Sequence, residues 1–133
     1  MNVHSSHAEA AHWVSLATAD LAGARVLAAD STVDPRLIIS LAHQSVEKAV
    51  KSLLAAPGEQ VPRTHDLVRL AHLAAAGLPL PLDEDQLRAL TDANAAARYP
   101  EPDDPPYGHD EAAVFVEQAA SVLRAVVLTL GGP

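Results

Sequence analysis

The segment from Pro35 to Ala56 constrains the fold most, because its polar residues occupy only one narrow stripe of a helix. At 100° per residue, apolar side chains cover well over half of its circumference. The stripe contains His43, Gln44, Glu47, Lys48 and Lys51. A helix this apolar is covered on two sides. The pattern predicts that it lies at the centre of a helical bundle or also forms an interface with another chain.

Capping residues, prolines and apolar periodicity predict four further helices around this one. We expect them at about Ser6–Ala29, His65–Ala76, Asp83–Arg98 and His109–Leu130, with Thr64 as the cap of the helix that begins at His65. The apolar residues are mainly Ala, Leu and Val, which suit closely packed helices better than a sheet. Residues 1–133 are therefore expected to form a single all-α domain, an up-and-down bundle of four to five helices.

One side of the first predicted helix consists of small residues, which allow another backbone to come close. They are Ser15, Ala19, Ala22 and Gly23. The other side is apolar and includes Asp20. That carboxylate either reaches water at the helix edge or is held on the core side, where the loss of hydration demands a partner.

The fourth predicted helix carries a second pair of candidates, because Asn94 and Arg98 extend its apolar stripe at the C-terminal end. Arg98 either bonds the free carbonyls of its own helix end or binds a phosphate or carboxylate in a bidentate manner. If Asp20, Asn94 and Arg98 converge, they form a polar pocket.

Composition excludes several classes of function. The chain has no cysteine, and its seven histidines show neither an HExxH pattern nor a supporting carboxylate cluster, so we expect no metal and no cofactor. A net charge of −8 argues against broad, nonspecific binding of a phosphate backbone. The N-terminus does not resemble a secretory signal, and the apolar runs are shorter than the roughly 20 residues of a membrane span, so we expect a cytoplasmic protein without membrane association.

Three motifs follow one another along the chain: AHQSVEKAVKSLL at 42–54, VPRTHDLVRL at 61–70 and ARYPEPDD at 97–104. In this order they resemble the A-x-Q-x-x-E-K-A-x-K-x-L-L helix, the P-x-T-H-D-L helix entry and the R-Y-P loop of the HEPN domains, the higher eukaryote and prokaryote nucleotide-binding family. The pair Asp20-Leu21 is also similar to the family's first helix.

The resemblance implies a four- to five-helix bundle, usually a homodimer whose first helices pack near the two-fold axis. The polar stripe of the second helix would then face outward, because the bundle and the partner subunit cover the rest. One branch of the family consists of metal-independent ribonucleases with an Arg, four to six residues and then a His. Another branch accompanies a minimal nucleotidyltransferase in toxin–antitoxin or defence-type systems.

The chain departs from the nuclease pattern, because ten residues separate Arg98 from His109 and the intervening segment is acidic, with Glu101 and the pair Asp103-Asp104. We therefore expect a non-catalytic module that binds a nucleotide, an RNA phosphate or a nucleotidyltransferase partner. Its pocket would contain Asp20, Glu47, Lys48, Asn94, Arg98 and Tyr99. The alternatives are a metal-independent ribonuclease that uses Arg98 and His109, and a non-catalytic scaffold similar to an antitoxin.

Overall fold

A computed structural model describes residues 3–74, 80–103 and 106–131. Within these ranges the chain forms helices and no strand, which confirms the all-α class. The helices are α1 (Val3–Ala28), α2 (Pro35–Ala55), α3 (Leu67–Ala74), α4 (Glu84–Arg98) and α5 (His109–Leu130).

The starts of α2, α3 and α4 are fixed by aspartate side chains that accept hydrogen bonds from free backbone N–H groups. Asp34 caps α2 immediately before Pro35, and Asp83 forms a reciprocal capping box with Gln86 at the start of α4. The predicted cap of α3 was wrong by two residues. Asp66, and not Thr64, accepts from the N–H groups of the second and third residues of the helix. The predicted end of α3 at Ala76 lies outside the described residues.

Helix α2 is the centre of the bundle. It packs against α1, α3, α4 and α5. Its fully buried apolar side chains are Ile38, Ile39, Ala42, Val46, Ala49, Val50 and Ala55. One chain therefore covers α2 on both sides, which is the first of the two arrangements that its apolar surface predicts.

The polar stripe of α2 does not face outward as expected. His43, Glu47 and Lys51 are only 1%, 7% and 5% exposed. The segment between α2 and α3 folds back over them, and the backbone carbonyl of His65 accepts a hydrogen bond from His43 Nε2 at 3.0 Å. Three of the five stripe residues thus form a buried polar layer between the helix and the loop that follows it, whereas Gln44 and Lys48 are half-buried.

Helix α5 is long and apolar enough to cross a membrane by length and composition alone. One face of the helix packs into the bundle beside α1 and α2. Its buried side chains are Ala112, Phe115, Val116, Ala119, Ala120, Val122, Leu123 and Val126. A core helix meets the same length and composition criteria as a membrane span.

Candidate functional site

A polar cavity of about 470 Å³ lies where α2, the end of α4 and the α2–α3 loop meet. We call it the Arg98 cavity. It is lined by Ser40, His43, Gln44, Glu47, Lys48, His65, Asn94 and Arg98. Five of these residues come from α2 at spacings of three and four, which place them on one face of the helix.

Among the residues that line the cavity, Glu47 has the most hydrogen-bond and ion-pair partners. Its Oε1 accepts from His65 Nδ1 at 2.8 Å, and its Oε2 accepts from Lys51 Nζ at 2.9 Å. Burial opposes ionisation of this carboxyl group, but the hydrogen bonds and charges of Lys51 and His65 outweigh it, so the pKa of Glu47 lies below its ordinary value. Glu47 is therefore an ionised carboxylate whose charge is already balanced.

The two histidines of the cavity differ in environment. Burial lowers the pKa of His43, so its ring is neutral at pH 7 and donates from Nε2. The side chain of His65 is 67% exposed. With Nδ1 directed to Glu47, the Nε2 atom of His65 has no hydrogen-bond partner among the described residues. Nε2 of His65 is thus left for a hydrogen bond to solvent or a ligand.

The stability of the fold is expected to fall as the pH drops below 6.5, the ordinary pKa of His43. Below that pH the unfolded chain takes up a proton at His43 that the folded chain does not bind, so the free energy of unfolding decreases by up to about 1.4 kcal/mol per pH unit. Urea denaturation at a series of pH values measures this slope. The variant His43→Gln keeps an N–H donor without titrating. Its slope should be flatter between pH 6.5 and 4.5, the ordinary pKa of Glu47. An unchanged slope would contradict the assignment to His43.

Asp20 reaches the cavity through Lys48. The carboxylate of Asp20 accepts from Lys48 Nζ at 2.7 Å, and both side chains are partly buried. Asp20 itself does not line the cavity. The structure therefore supplies the partner that an inward-facing carboxylate on α1 requires, and it leaves Lys48 with little unbalanced charge.

Asn94 and Arg98 lie one turn apart on α4, and both line the cavity. Asn94 Oδ1 accepts from Ser40 Oγ at 3.1 Å, which ties α4 to α2. The guanidinium carbon of Arg98 lies 5.5 Å from the centre of the Tyr99 ring. Within the described ranges Arg98 forms no hydrogen bond or ion pair, so it does not bond the carbonyls of its own helix end. Tyr99 is highly exposed and does not line the cavity.

His109 lies elsewhere. His109 is the first residue of α5, and its Nε2 lies 2.8 Å from the carbonyl oxygen of Val33. It does not line the Arg98 cavity. The histidines that line the cavity together with Arg98 are instead His43 and His65, which precede it by 55 and 33 residues in the sequence. Asp104, in the acidic segment between Arg98 and His109, lies outside the described residues.

Sequence reasoning did not assign His43 and His65 to the site. The available signals were the position of His43 in the polar stripe of α2 and the P-R-T-H-D-L segment, which places His65 two residues before the start of α3. In the part of the chain that the structure describes, no group of three or more potential ligands is arranged to hold a metal ion.

The HEPN domain family model matches residues 10–130 of the chain. Among solved structures, the crystal structure of TT1696 from Thermus thermophilus is similar, with a TM-score of 0.69 and 27% sequence identity. The alignment covers 89% of this chain and 95% of that one. No curated protein matches the chain significantly.

Proposed function

Since this chain belongs to the HEPN domain family, we propose that it is a binding module for a nucleotide or an RNA phosphate, with the Arg98 cavity as its binding site. The main support is the free guanidinium of Arg98. The other charges of the cavity are balanced within the protein, Lys48 by Asp20 and Glu47 by Lys51. Arg98 is therefore the cation of the cavity whose hydrogen-bonding capacity is left for a ligand, and its planar fork suits a phosphate.

A phosphate at Arg98 would meet polar neighbours that suit a nucleotide. Gln44 and Asn94 carry amide groups that donate to and accept from ribose hydroxyls. The net charge of −8 opposes an extended phosphate track, so the contact is confined to this cavity. Binding should therefore depend only weakly on salt, as expected for contacts to one or two phosphates of a single strand.

Removing the guanidinium tests this function. Arg98→Ala is expected to weaken binding of a 5′-labelled single-stranded RNA, measured by fluorescence anisotropy, roughly 10- to 150-fold, the usual contribution of a hydrogen bond to a charged group. The matched control is Arg124→Ala, which removes an exposed arginine of α5 with no hydrogen bond or ion pair to another described residue. It should bind RNA like the wild type. Absence of binding by the wild-type protein, or equal losses in both variants, would contradict the proposal.

A metal-independent ribonuclease is the second candidate, and the contact between Glu47 and His65 favours it. A carboxylate that accepts from Nδ1 leaves Nε2 as a base, and this base lies in the same cavity as Arg98. His65 would take the proton of a ribose 2′-hydroxyl as its oxygen bonds to phosphorus. The bond to the 5′-oxygen then breaks, and that oxygen receives a proton from the protonated imidazole or water. Arg98 would stabilise the charge on the phosphate oxygens.

Labelled RNA incubated with the protein and EDTA distinguishes this candidate from the binding module. Cleavage that persists in EDTA and disappears in both His65→Ala and Arg98→Ala would support it. His109→Ala is the informative comparison, because His109 bonds to Val33 outside the cavity and its removal should leave such cleavage intact. RNA that stays whole while it binds to the wild-type protein would exclude the ribonuclease.

The proposal includes assembly as a homodimer through α1. Ser15, Ala19 and Ala22 are exposed on this helix and would permit close contact with a second copy. Gly23 is different, because a Cβ atom there would lie 3.4 Å from Leu41 of α2. Light scattering of the wild-type protein should give twice the monomer mass, and Ala19→Arg should give the monomer. A wild-type monomer at micromolar concentration would contradict a dimer.

A cytoplasmic nucleotidyltransferase partner in a toxin–antitoxin or defence-type system completes the proposal. It is supported by the family membership alone. Co-purification of a minimal nucleotidyltransferase encoded next to this chain would support the pairing. If neither such an enzyme nor any nucleotide or RNA binds, the result would favour the third alternative, a non-catalytic scaffold similar to an antitoxin.

A further inference from the structure

A second cavity, of about 530 Å³, lies on the other side of the α2–α3 loop. We call it the Trp13 cavity. Helix α1 contributes Glu9 and Trp13, and α2 contributes Lys51. The loop contributes the rest of the lining, which is Gly58, Glu59, Gln60, Val61, Pro62 and Arg63.

The two cavities share a wall. Lys51 lines the Trp13 cavity and Glu47 lines the Arg98 cavity, and their side chains are joined by the 2.9 Å ion pair. The same loop borders both, with Arg63 on one and His65 on the other. Because Glu47 and Lys51 lie one turn apart on α2, about 6 Å at 1.5 Å per residue, the cavities adjoin each other, and one flexible ligand can reach both.

The Trp13 cavity has a different chemistry from its neighbour. Its aromatic wall is the partly buried indole of Trp13, against which Lys51 Nζ lies 5.6 Å from the ring centre. Glu9, Glu59 and Arg63 form no hydrogen bond or ion pair with another described residue. Two free carboxylates disfavour a phosphate at this position, but they are acceptors for the amino groups on the edges of nucleobases. An indole ring is a stacking surface for a base of any kind.

We propose that the Trp13 cavity binds an amino-bearing nucleobase of the same single strand whose phosphate is bound at Arg98. The base stacks on Trp13, and the carboxylate of Glu9 or Glu59 accepts from its exocyclic amino group. This inference rests on the proposed function and makes it more specific. The proposed ligand is a short single-stranded oligonucleotide that reaches both adjoining cavities.

Trp13 is the one tryptophan of the chain, so its fluorescence reports directly on this cavity. The probes are RNA hexamers of cytidine and of uridine, and a ribose-phosphate hexamer of the same length without bases. The cytidine hexamer is expected to quench Trp13 and to bind more tightly than the uridine hexamer, which lacks an amino group. The hexamer without bases should bind at least about fivefold more weakly than the cytidine hexamer, because it lacks stacking. It should leave the fluorescence of Trp13 unchanged.

Variants of the cavity separate stacking from stability. Trp13→Leu should weaken binding of the cytidine hexamer at least about fivefold, as measured by fluorescence anisotropy. Trp13→Phe retains an aromatic ring and should retain most of the affinity. Circular dichroism shows whether each variant is folded. Glu59→Gln and Glu9→Gln, separately and combined, replace residues without described partners, so they are suitable if Trp13→Leu does not fold. The combined variant should abolish the preference for cytidine over uridine.

The outcomes distinguish this inference from the proposed function. If the cytidine hexamer binds in an Arg98-dependent manner, but Trp13 is not quenched and the Trp13 and glutamate variants bind like the wild type, the base site is wrong and the phosphate site stands. Equal affinity for the cytidine hexamer and the hexamer without bases would also show that the base site is wrong while the phosphate site stands. If no hexamer binds to the wild-type protein, the proposed function and the base site are both wrong.

Discussion

Replacing Glu47 by alanine is expected to lower the free energy of unfolding by about 3–5 kcal/mol, because it leaves the ammonium group of Lys51 buried without a counter-ion. Lys51 and Glu47 are both buried, and their ion pair is reinforced by the hydrogen bond from His65 to the second carboxylate oxygen. Thermal unfolding at pH 7, followed by circular dichroism, should show a decrease in Tm on the order of 15 °C for a chain of this size.

Two comparisons test whether charge is the cause. Glu84→Ala removes an exposed glutamate that pairs with Arg88, and it should cost less than about 1 kcal/mol. The double variant Glu47→Leu/Lys51→Met replaces both buried charges by apolar side chains and should regain much of the stability lost in Glu47→Ala. A double variant that is as unstable as Glu47→Ala would show that the buried ammonium is not the source of the loss.

Leu90→Ala is expected to destabilise the protein by about 2–5 kcal/mol, because it removes a fully buried side chain from α4 and leaves a cavity in the core. Urea denaturation should show a lower midpoint with an unchanged m-value. The matched control is Leu37→Ala, the same chemical change at a leucine that is 57% exposed in the first turn of α2. It should cost less than about 1 kcal/mol. Similar losses at the two positions would contradict the packing described for α4.

The helical part of this fold could be predicted because periodicity and end signals agree along the chain. Pro35 and the aspartate before it mark the start of α2 in both sequence and structure, and the narrow polar stripe correctly indicated a helix covered from several directions. The ends of α4 and α5 were also predicted to the residue. The cap of α3 was missed because Thr64 and Asp66, two positions apart, are both good capping residues.

The direction of the polar stripe could not be predicted, because periodicity identifies the residues that share a face but not the segment that covers them. His65 contacts Glu47 across 18 residues of sequence and His43 across 22. Both contacts depend on the path of an irregular loop without apolar periodicity. A polar face was therefore interpreted as a solvated one.

The candidate site was anticipated in part. Asn94 and Arg98 line one cavity, together with Glu47 and Lys48, and Asp20 joins them through its ion pair with Lys48. Their roles in binding stay predictions. The position of His109 depends on the Pro-rich segment after Arg98, and its hydrogen bond to Val33 directs it away from the cavity lining. No short-range pattern in the sequence encodes that contact, which joins residues 76 positions apart.

Helix α2 carries five side chains of the Arg98 cavity on one face and the central core of the bundle on its others. A residue inserted before Val46 would rotate everything after it by about 100°, which would move Lys48 to the core position of Ala49 and Val46 to the cavity position of Glu47. We therefore expect the proposed binding surface to acquire new specificity during evolution through amino-acid substitutions, and insertions and deletions in α2 to be eliminated. Length variation among homologues should be confined to the connections between helices.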